Sequence, residues 1–322
     1  MNPPPQSSLD PVKSPAAFWQ LARTLAAYSA RAYTEPSVTD SATRASALIV
    51  AAPRENTADV SAAFSREAAI DIVVAFKGSS TPRDFLADAS CWLSDLNWNR
   101  TNWPQGHGIK VHHGFLFDAS SILPPVIEQV AAAIGAPASR TGPAPGTGAP
   151  RIFLTGHSLG GALAELAALE FTLQNIPIAG VITFGGPRVG NGAFAAAYDA
   201  AQIAQEHTEG TESEIKPGAK ISEPVVSSTL PPVKKVLKEI TFRVVNQNDI
   251  VPRTPGWLLG YRHCGQEIFL EPLPAAGWNV NPSSAHKLFR DALGLYGACC
   301  RRQDVLIRDH FIAAYQDRIT NL

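Results

Sequence analysis

The feature that most constrains the fold is the sequence Gly-His-Ser-Leu-Gly at residues 156–160, which separates two apolar segments. Residues 150–156 form a short apolar run that predicts a buried strand, and residues 159–174 are rich in alanine and leucine and predict a helix. A Gly-x-Ser-x-Gly sequence between a strand and a helix is typical of a nucleophilic serine on a very tight turn, where any side chain larger than glycine's would collide with the backbone. Such a turn would hold Ser158 in a strained conformation at the helix N-terminus, where backbone N–H groups can stabilise an oxyanion. The alternative is a glycine-rich turn whose serine caps the helix.

Apolar runs that favour strands alternate with helical patterns along the rest of the chain. Strands are predicted at 47–52, 69–76, 179–185, 239–246 and 262–270, and helices at 15–33, 115–134, 193–204 and the C-terminus. Strands that alternate with helices usually form a largely parallel sheet with helices packed against it. The sequence therefore predicts an α/β fold with a mostly parallel central sheet and helices on both faces.

The domain organisation is predicted to be simple. We expect a single domain over residues 16–322, preceded by a flexible, proline-rich tail at residues 1–15. A chain of 322 residues of which 45% are hydrophobic can bury a sizeable core. Two stretches without the pattern of a strand or helix, 135–150 and 206–238, fall between predicted elements and are interpreted as loop insertions.

Composition excludes several classes of protein. The chain has 27 basic and 28 acidic residues, whereas proteins that bind nucleic acid usually carry a basic stripe, so no nucleic-acid partner is expected. No run approaches the roughly 20 apolar residues of a transmembrane helix, and the N-terminus lacks the basic and apolar regions of a secretory signal. We therefore expect a cytoplasmic protein, or a secreted one if a leader was removed before residue 1. The four cysteines lack metal-ligand spacing, so no metal site is predicted; four free thiols are favoured, and one disulfide is the alternative.

A serine nucleophile needs a base that takes its proton and an acid that holds the base. In sheets of this kind the acid and the histidine follow the serine along the chain. Asp249 comes just after the predicted strand 239–246, at the sheet edge where active-site groups gather, and is the leading acid; an aspartate that only caps its own turn is the alternative. Three histidines lie downstream, His263, His286 and His310, and position alone favours His310 only modestly.

Four separated motifs resemble, in their order, those of the class 3 (filamentous-fungal type) lipases. They are Gly-His-Ser-Leu-Gly-Gly-Ala-Leu-Ala-Glu at 156–165, Thr-Phe-Gly-Gly-Pro-Arg-Val-Gly at 183–190, Asn-Asp-Ile-Val-Pro at 248–252 and Asp-His at 309–310. The resemblance runs from about residue 20 to the C-terminus and implies the α/β-hydrolase fold. Carried over by position, it implies Ser158 as the nucleophile, Asp249 as the acid and His310 as the base, with no metal or organic cofactor.

The same resemblance implies an oxyanion hole. In the family, a segment with the pattern Arg-Gly-Ser-x-Ser-x-x-Asn-Trp supplies the first donor from its first serine, and that position falls on Ser79. The second donor would be the backbone N–H of Leu159, which follows the nucleophile. This chain has Lys77 where the family usually has arginine, and Asp84-Phe85 where it usually has Asn-Trp. Neither difference changes the donor itself.

The segment after Ser79 is crowded with large apolar side chains. Those expected to contact the substrate or to form a lid are Phe85, Leu86, Trp92 and Leu93. In lipases of this type the matching segment is an amphipathic lid that covers the serine in water and moves aside at a lipid surface. We therefore expect residues 81–97 to form a lid, and ordinary core packing of the same side chains is the alternative.

The resemblance favours a triacylglycerol lipase that works through an acyl-enzyme, with a lipid ester as substrate and transient contact with a lipid interface. An esterase for small or aromatic (feruloyl-type) esters, or a phospholipase, would use the same triad and is the main alternative. A non-catalytic hydrolase fold that serves as a scaffold is less well supported, because all three triad positions carry the right residue types.

Overall fold

The computed structural model describes residues 9–40, 45–53, 70–79, 92–96, 108–135, 150–203, 235–271, 277–283, 285 and 307–322. Most of the two predicted insertions, 135–150 and 206–238, therefore lies outside the described residues, as do residues 1–8 of the predicted tail. The domain boundaries stay predictions.

The helices and strands of the described residues follow the predicted order closely. The helices are α1 Pro15–Arg31, α2 His113–Gly135, α3 Leu159–Leu173, α4 Gly192–Ala200, α5 Leu237–Ile240 and α6 Ile312–Thr320. The strands are β1 Val38–Thr39, β2 Ser46–Pro53, β3 Ile70–Phe76, β4 Leu93–Asp95, β5 Lys110–His112, β6 Arg151–His157, β7 Gly180–Phe184, β8 Gly190–Asn191, β9 Thr241–Asn246, β10 Tyr261–Arg262, β11 Gln266–Leu270 and β12 Trp278–Val280.

The central sheet has eight strands in the order β1-β2-β3-β6-β7-β9-β11-β12. The five inner strands from β3 to β11 pair in parallel, whereas the pairs at the two edges are antiparallel. The predicted mostly parallel sheet is confirmed. Because β6, β7 and β9 are parallel neighbours, the turns that follow them lie together at the carboxyl ends of these strands.

Hydrophobic cores lie on both faces of this sheet. Ile72 and Val74 of β3 belong to one core and Val73 between them belongs to the other, as the two-residue period of a strand requires. The first core is completed by residues of α2 and α3, among them Ile122, Val126, Leu163 and Leu166. The second is completed by residues of α1 and α6, among them Phe18, Leu25, Tyr315 and Ile319. The prediction of helices on both faces is therefore also confirmed.

A second, smaller sheet was not predicted. It has the order β10-β8-β5-β4, is antiparallel, and consists of strands of two or three residues, which are too short to show a periodic pattern. The single strand predicted at 262–270 is in fact divided between the two sheets. Gly265, with a φ of +65°, turns the chain from β10 in the small sheet to β11 in the central one.

Candidate active site

Ser158 lies on the turn between β6 and α3 in a backbone conformation that is rare for a residue with a side chain. Its φ is 59° and its ψ is −128°, and its N–H donates to the carbonyl of Phe184 at 3.0 Å. A Cβ at Gly156 would overlap the backbone of Gly160, and one at Gly160 would overlap the backbone of Phe76. The tight packing explains why glycine is needed at both positions.

Ser158, His310 and Asp249 form one hydrogen-bonded chain. The Nε2 atom of His310 lies 2.9 Å from Ser158 Oγ, and its Nδ1 atom lies 2.8 Å from Asp249 Oδ2 and 3.0 Å from Oδ1. Because the carboxylate can only accept, Nδ1 carries the proton and a neutral ring leaves Nε2 free to accept from the serine hydroxyl. All three residues are buried, and Ser158 is only 2% exposed. The arrangement can therefore move a proton from the serine to the histidine.

Asp249 is held by donors that leave it oriented toward His310. The backbone N–H of Val251 donates to its Oδ1 at 2.9 Å, and the hydroxyl of Tyr315 donates to its Oδ2 at 2.6 Å. The same hydroxyl accepts from the N–H of Asn246 at 3.0 Å. Burial, and then the nearby Asp249 charge, raise the pKa of Tyr315 well above its ordinary value, so the phenol remains a donor. The sequence analysis did not predict a role for Tyr315. The only sequence signal for it is its position five residues after His310.

Gly185 closes the site from the side of β7. Its φ is +62°, and a Cβ there would lie 2.7 Å from Asp249 Oδ2, 3.0 Å from the Tyr315 hydroxyl and 3.2 Å from His310 Nδ1. A side chain at this position would therefore displace Asp249 or His310. The consecutive glycines of the 183–190 motif are the sequence signal for this close approach.

The loop that carries His310 is tied to the sheet edge through its backbone. The Asn246 side chain donates to the carbonyl of Asp309 at 2.9 Å, and Asn248 donates to the Asp309 carboxylate at 3.1 Å. His157 Nε2 donates to the carbonyl of His310 itself at 2.6 Å. Two consecutive carbonyls of the loop are thus fixed by side chains that come from the ends of β9 and β6.

The predicted oxyanion donors lie on either side of the serine turn. Leu159 is the first residue of α3, and the first N–H groups of a helix have no partner within the helix. Ser79 is half-buried at the end of the segment that follows β3. Its neighbour Gly78 approaches Ser158 so closely that a Cβ there would lie 3.2 Å from the Cβ of Ser158. The donor roles of Ser79 and Leu159 stay predictions.

Of the remaining predicted site residues, the structure describes Trp92, Leu93 and His263. Trp92 is 74% exposed, and Leu93 is half-buried at the start of β4. His263 donates from Nε2 to the carbonyl of Pro252 at 2.7 Å and so is committed elsewhere. Phe85, Leu86 and the alternative base His286 lie outside the described residues. In the described part of the chain, no group of three or more His, Cys, Asp or Glu side chains could hold a metal ion, and Cys264 is a buried free thiol.

A parallel sheet that carries a serine on a strand–turn–helix bend, with aspartate and histidine from later turns, defines the α/β-hydrolase class. The family described as Lipase (class 3) matches residues 73–259, which is more than half of the chain. The chain belongs to this class 3 lipase family. The resemblance seen in the four sequence motifs is therefore confirmed.

The chain matches only part of the length of its curated relatives. The chain is 28% identical over 203 residues to a lipase of Rhizomucor miehei, covering 62% of this chain and 41% of that protein. It is 30% identical over 204 residues to the secreted mono- and diacylglycerol lipase 1 of Fusarium solani, covering 63% and 45%. It is 28% identical over 211 residues to a chloroplastic phospholipase A(1) of Arabidopsis thaliana, covering 62% and 37%. The chain thus spans less than half the length of these relatives.

A solved structure supports the fold. The crystal structure of the lipase from Rhizopus microsporus var. chinensis matches with a TM-score of 0.53 and 23% identity, covering 83% of this chain and 79% of that one. At this identity the match shows a shared fold. The α/β-hydrolase fold implied by the sequence motifs is confirmed.

The names of the relatives bear on cellular location. The names of two relatives place them in other settings, one secreted and one chloroplastic, and so give no support to the cytoplasmic location expected from the N-terminus. Among the described residues, no helix combines the length and apolar character needed to cross a bilayer.

Proposed function

We propose that the protein is a serine ester hydrolase of lipids, with triacylglycerol as the favoured substrate. The observation that carries this proposal is the hydrogen-bonded chain from Ser158 through His310 to Asp249, with distances of 2.9 and 2.8 Å. This geometry matches what nucleophilic catalysis by a serine requires, namely a base within hydrogen-bond reach and an acid that orients it.

In the first half-reaction, Ser158 Oγ attacks the ester carbonyl carbon while its proton passes to His310 Nε2. The electron pair of the carbonyl moves to its oxygen, which the N–H groups of Ser79 and Leu159 would stabilise as an oxyanion. Asp249 stabilises the imidazolium without taking its proton. The carbon–oxygen bond to the alcohol then breaks, the alcohol takes the proton from His310, and an acyl-enzyme remains on Ser158.

In the second half-reaction, water attacks the acyl-enzyme. His310 takes a proton from this water as the new carbon–oxygen bond forms, and the same oxyanion donors act again. When the bond to Ser158 Oγ breaks, His310 returns the proton to the serine, and a carboxylic acid leaves. No other group is needed to balance the reaction.

Exposed apolar side chains support a lipid rather than a small soluble ester as the substrate. Trp257, Leu258 and Leu259 are consecutive and are 54%, 80% and 55% exposed, and the segment begins eight residues after Asp249. Consecutive exposed side chains of this size are unfavourable in water but suit contact with a lipid surface. The names of relatives that act on acylglycerols or phospholipids agree with this substrate class.

The lid is part of the proposal, and the described residues bear on it at only one end. Trp92 is 74% exposed, which is unlike a core residue, whereas Leu96 is 9% exposed and packs in the core on the side of α2. Burial supports the core alternative for Leu96, and exposure supports the lid for Trp92. Because Leu93–Asp95 pair with β5, a lid within residues 81–97 would have to end before β4.

Catalysis by Ser158 is tested with a fluorophosphonate probe and with p-nitrophenyl butyrate. We expect the wild-type protein to be labelled and to hydrolyse the ester, and Ser158→Ala to do neither. A wild-type protein that is folded but neither labelled nor active would refute the proposal and favour the scaffold alternative.

Substrate class is tested with acyl chains of increasing length and with tributyrin across its solubility limit. A lipase with a lid should show a rise in rate when the tributyrin emulsion forms, and should accept long chains. A smooth saturating curve without that rise, together with rejection of long acyl chains, would favour an esterase for small esters. Release of fatty acid from phosphatidylcholine vesicles at a rate equal to that from triacylglycerol would favour a phospholipase.

A further inference from the structure

His157, the residue before the proposed nucleophile, lies in the site but has no part in the reaction as written. Its side chain is 4% exposed, and its ring lies against that of His310, with centroids 4.6 Å apart and planes inclined by 33°. Its Nε2 is 2.6 Å from the His310 carbonyl oxygen, and its Nδ1 is 2.9 Å from the Tyr33 hydroxyl. Both ring nitrogens are therefore occupied.

The directions of these hydrogen bonds follow from the chemistry of the partners. A carbonyl oxygen can only accept, so Nε2 of His157 must carry a proton and donate it. Burial, and next the neighbouring His310, lower the pKa of His157 to about 3, so the ring is neutral and its Nδ1 accepts. Tyr33 therefore donates its hydroxyl proton to His157.

Tyr33 extends this chain to the oxyanion side of the site. It lies just beyond the end of α1, and its phenol oxygen lies so close to Gly78 that a Cβ built at that glycine would overlap it. Burial raises the pKa of Tyr33, which keeps the phenol protonated and able to donate. Gly78 directly precedes Ser79. Two hydrogen bonds thus connect Tyr33, which packs against the segment of the proposed oxyanion donor, through His157 to the backbone of the proposed base.

We propose that Tyr33 and His157 are a positioning pair that fixes the backbone of His310 relative to Ser158 and to the oxyanion segment 77–79. The proposal rests on the ester hydrolase function proposed above. Neither side chain is hydrogen-bonded to Ser158 Oγ or to a ring nitrogen of His310. Their effect would be to hold His310 Nε2 at hydrogen-bond distance from the serine while the ester, the acyl-enzyme and the product replace one another.

The test compares variants of the pair on a soluble ester, p-nitrophenyl butyrate. Tyr33→Phe removes a single oxygen atom, and His157→Leu removes the donor to His310 while keeping a side chain of similar size. Because each variant loses one hydrogen bond that orients His310, we expect kcat to fall about tenfold while KM changes less than about twofold. His157→Gln can still donate from its amide to the His310 carbonyl, so it is expected to recover most of the lost kcat.

The double variant separates a coupled pair from two independent contributions. If Tyr33 acts through His157, Tyr33→Phe/His157→Leu should lose little more kcat than His157→Leu alone. Tyr28→Phe is the matched control, because Tyr28 is a partly buried tyrosine of α1 whose ring faces Arg31 instead of the site. It should leave kcat unchanged.

The outcomes distinguish this inference from the function on which it rests. A wild-type protein without ester hydrolysis or fluorophosphonate labelling would refute the function. An active wild-type protein whose Tyr33→Phe variant keeps its kcat would overturn the positioning pair, and so would additive losses in the double variant. Because Tyr33→Phe leaves the core unchanged, its thermal midpoint should stay within a few degrees of wild type, and it remains informative even if His157→Leu fails to fold.

Discussion

Glu165 is a buried carboxyl group whose removal should change how stability depends on pH. It lies in α3, two turns after Ser158, and is 1% exposed. Its Oε2 accepts from the Cys264 thiol at 2.9 Å, whereas its Oε1 has no hydrogen-bond partner within the described residues. Burial raises the pKa of Glu165 from 4.5 to about 7, and the positive charge of Arg243 opposes that rise only in part.

The sign of the effect follows from linkage between proton binding and folding. The folded protein binds the Glu165 proton more tightly than the unfolded chain does, so this contribution is fully present below pH 4.5 and is lost as the pH rises through about 7. At about 1.4 kcal/mol per pH unit, the difference between the two pKa values corresponds to about 3 kcal/mol. Above pH 7 the folded protein must hold a buried carboxylate, which glutamine would replace with a neutral group of the same shape.

The variant Glu165→Gln should therefore gain stability relative to wild type as the pH rises. We expect the difference in unfolding free energy between variant and wild type to be roughly 2 to 3 kcal/mol more favourable at pH 8 than at pH 5. Urea unfolding followed by circular dichroism at the two pH values measures this difference. Glu128→Gln, an exposed glutamate on α2, is the control and should show almost no change between them. A Glu165→Gln difference that is the same at both pH values would refute the reasoning.

Three further predictions concern the site and its surroundings. Tyr315→Phe removes the donor to Asp249 Oδ2 and should lower kcat/KM on p-nitrophenyl butyrate about tenfold, with a smaller effect on the thermal midpoint. Gly185→Ala should lower the same kcat/KM by more than about 100-fold, because the new Cβ would displace Asp249 and the alanine would have to adopt a positive φ. Activity close to wild type would contradict this. Serine in place of Trp257, Leu258 and Leu259 should lower the rate of hydrolysis of emulsified tributyrin several-fold but leave the rate on the soluble ester unchanged. The control Phe117→Ser, at an equally exposed site, should change neither rate.

The sequence predicted the parts of the fold that have a strong local pattern. Strands β3, β6, β7 and β9 are apolar runs of five to seven residues, and each appears within two residues of its expected position. The small sheet was missed because β8 and β10 have two residues each and are positioned by the pairing of distant segments. A pattern of period two needs about four residues to be recognised, so no local signal for these strands exists.

The site shows the same division between local and distant information. The turn at Ser158 could be predicted because its glycines are adjacent in sequence, and Asp249 because it follows a recognisable strand. The choice among the histidines depended on the resemblance, since the contact between His310 and Ser158 joins residues 152 positions apart. Tyr33 and Tyr315 were missed for the same reason, because each acts on a partner from a different element of the fold.

These neighbours suggest why a serine that is almost fully buried can still have one well-defined path for its proton. Burial lowers the pKa of His157 and raises the pKa of Tyr33 and of Tyr315, so all three side chains remain neutral. Each of them already donates its proton in a hydrogen bond. Tyr33 donates to His157 Nδ1, His157 donates to the His310 carbonyl, and Tyr315 donates to Asp249 Oδ2. In the proposed reaction His310 is then the ring with a free acceptor facing the serine, Asp249 stabilises its imidazolium, and the surrounding groups do not compete for the proton. The buried polar groups around His310 therefore do not divert the proton of Ser158 from His310 Nε2.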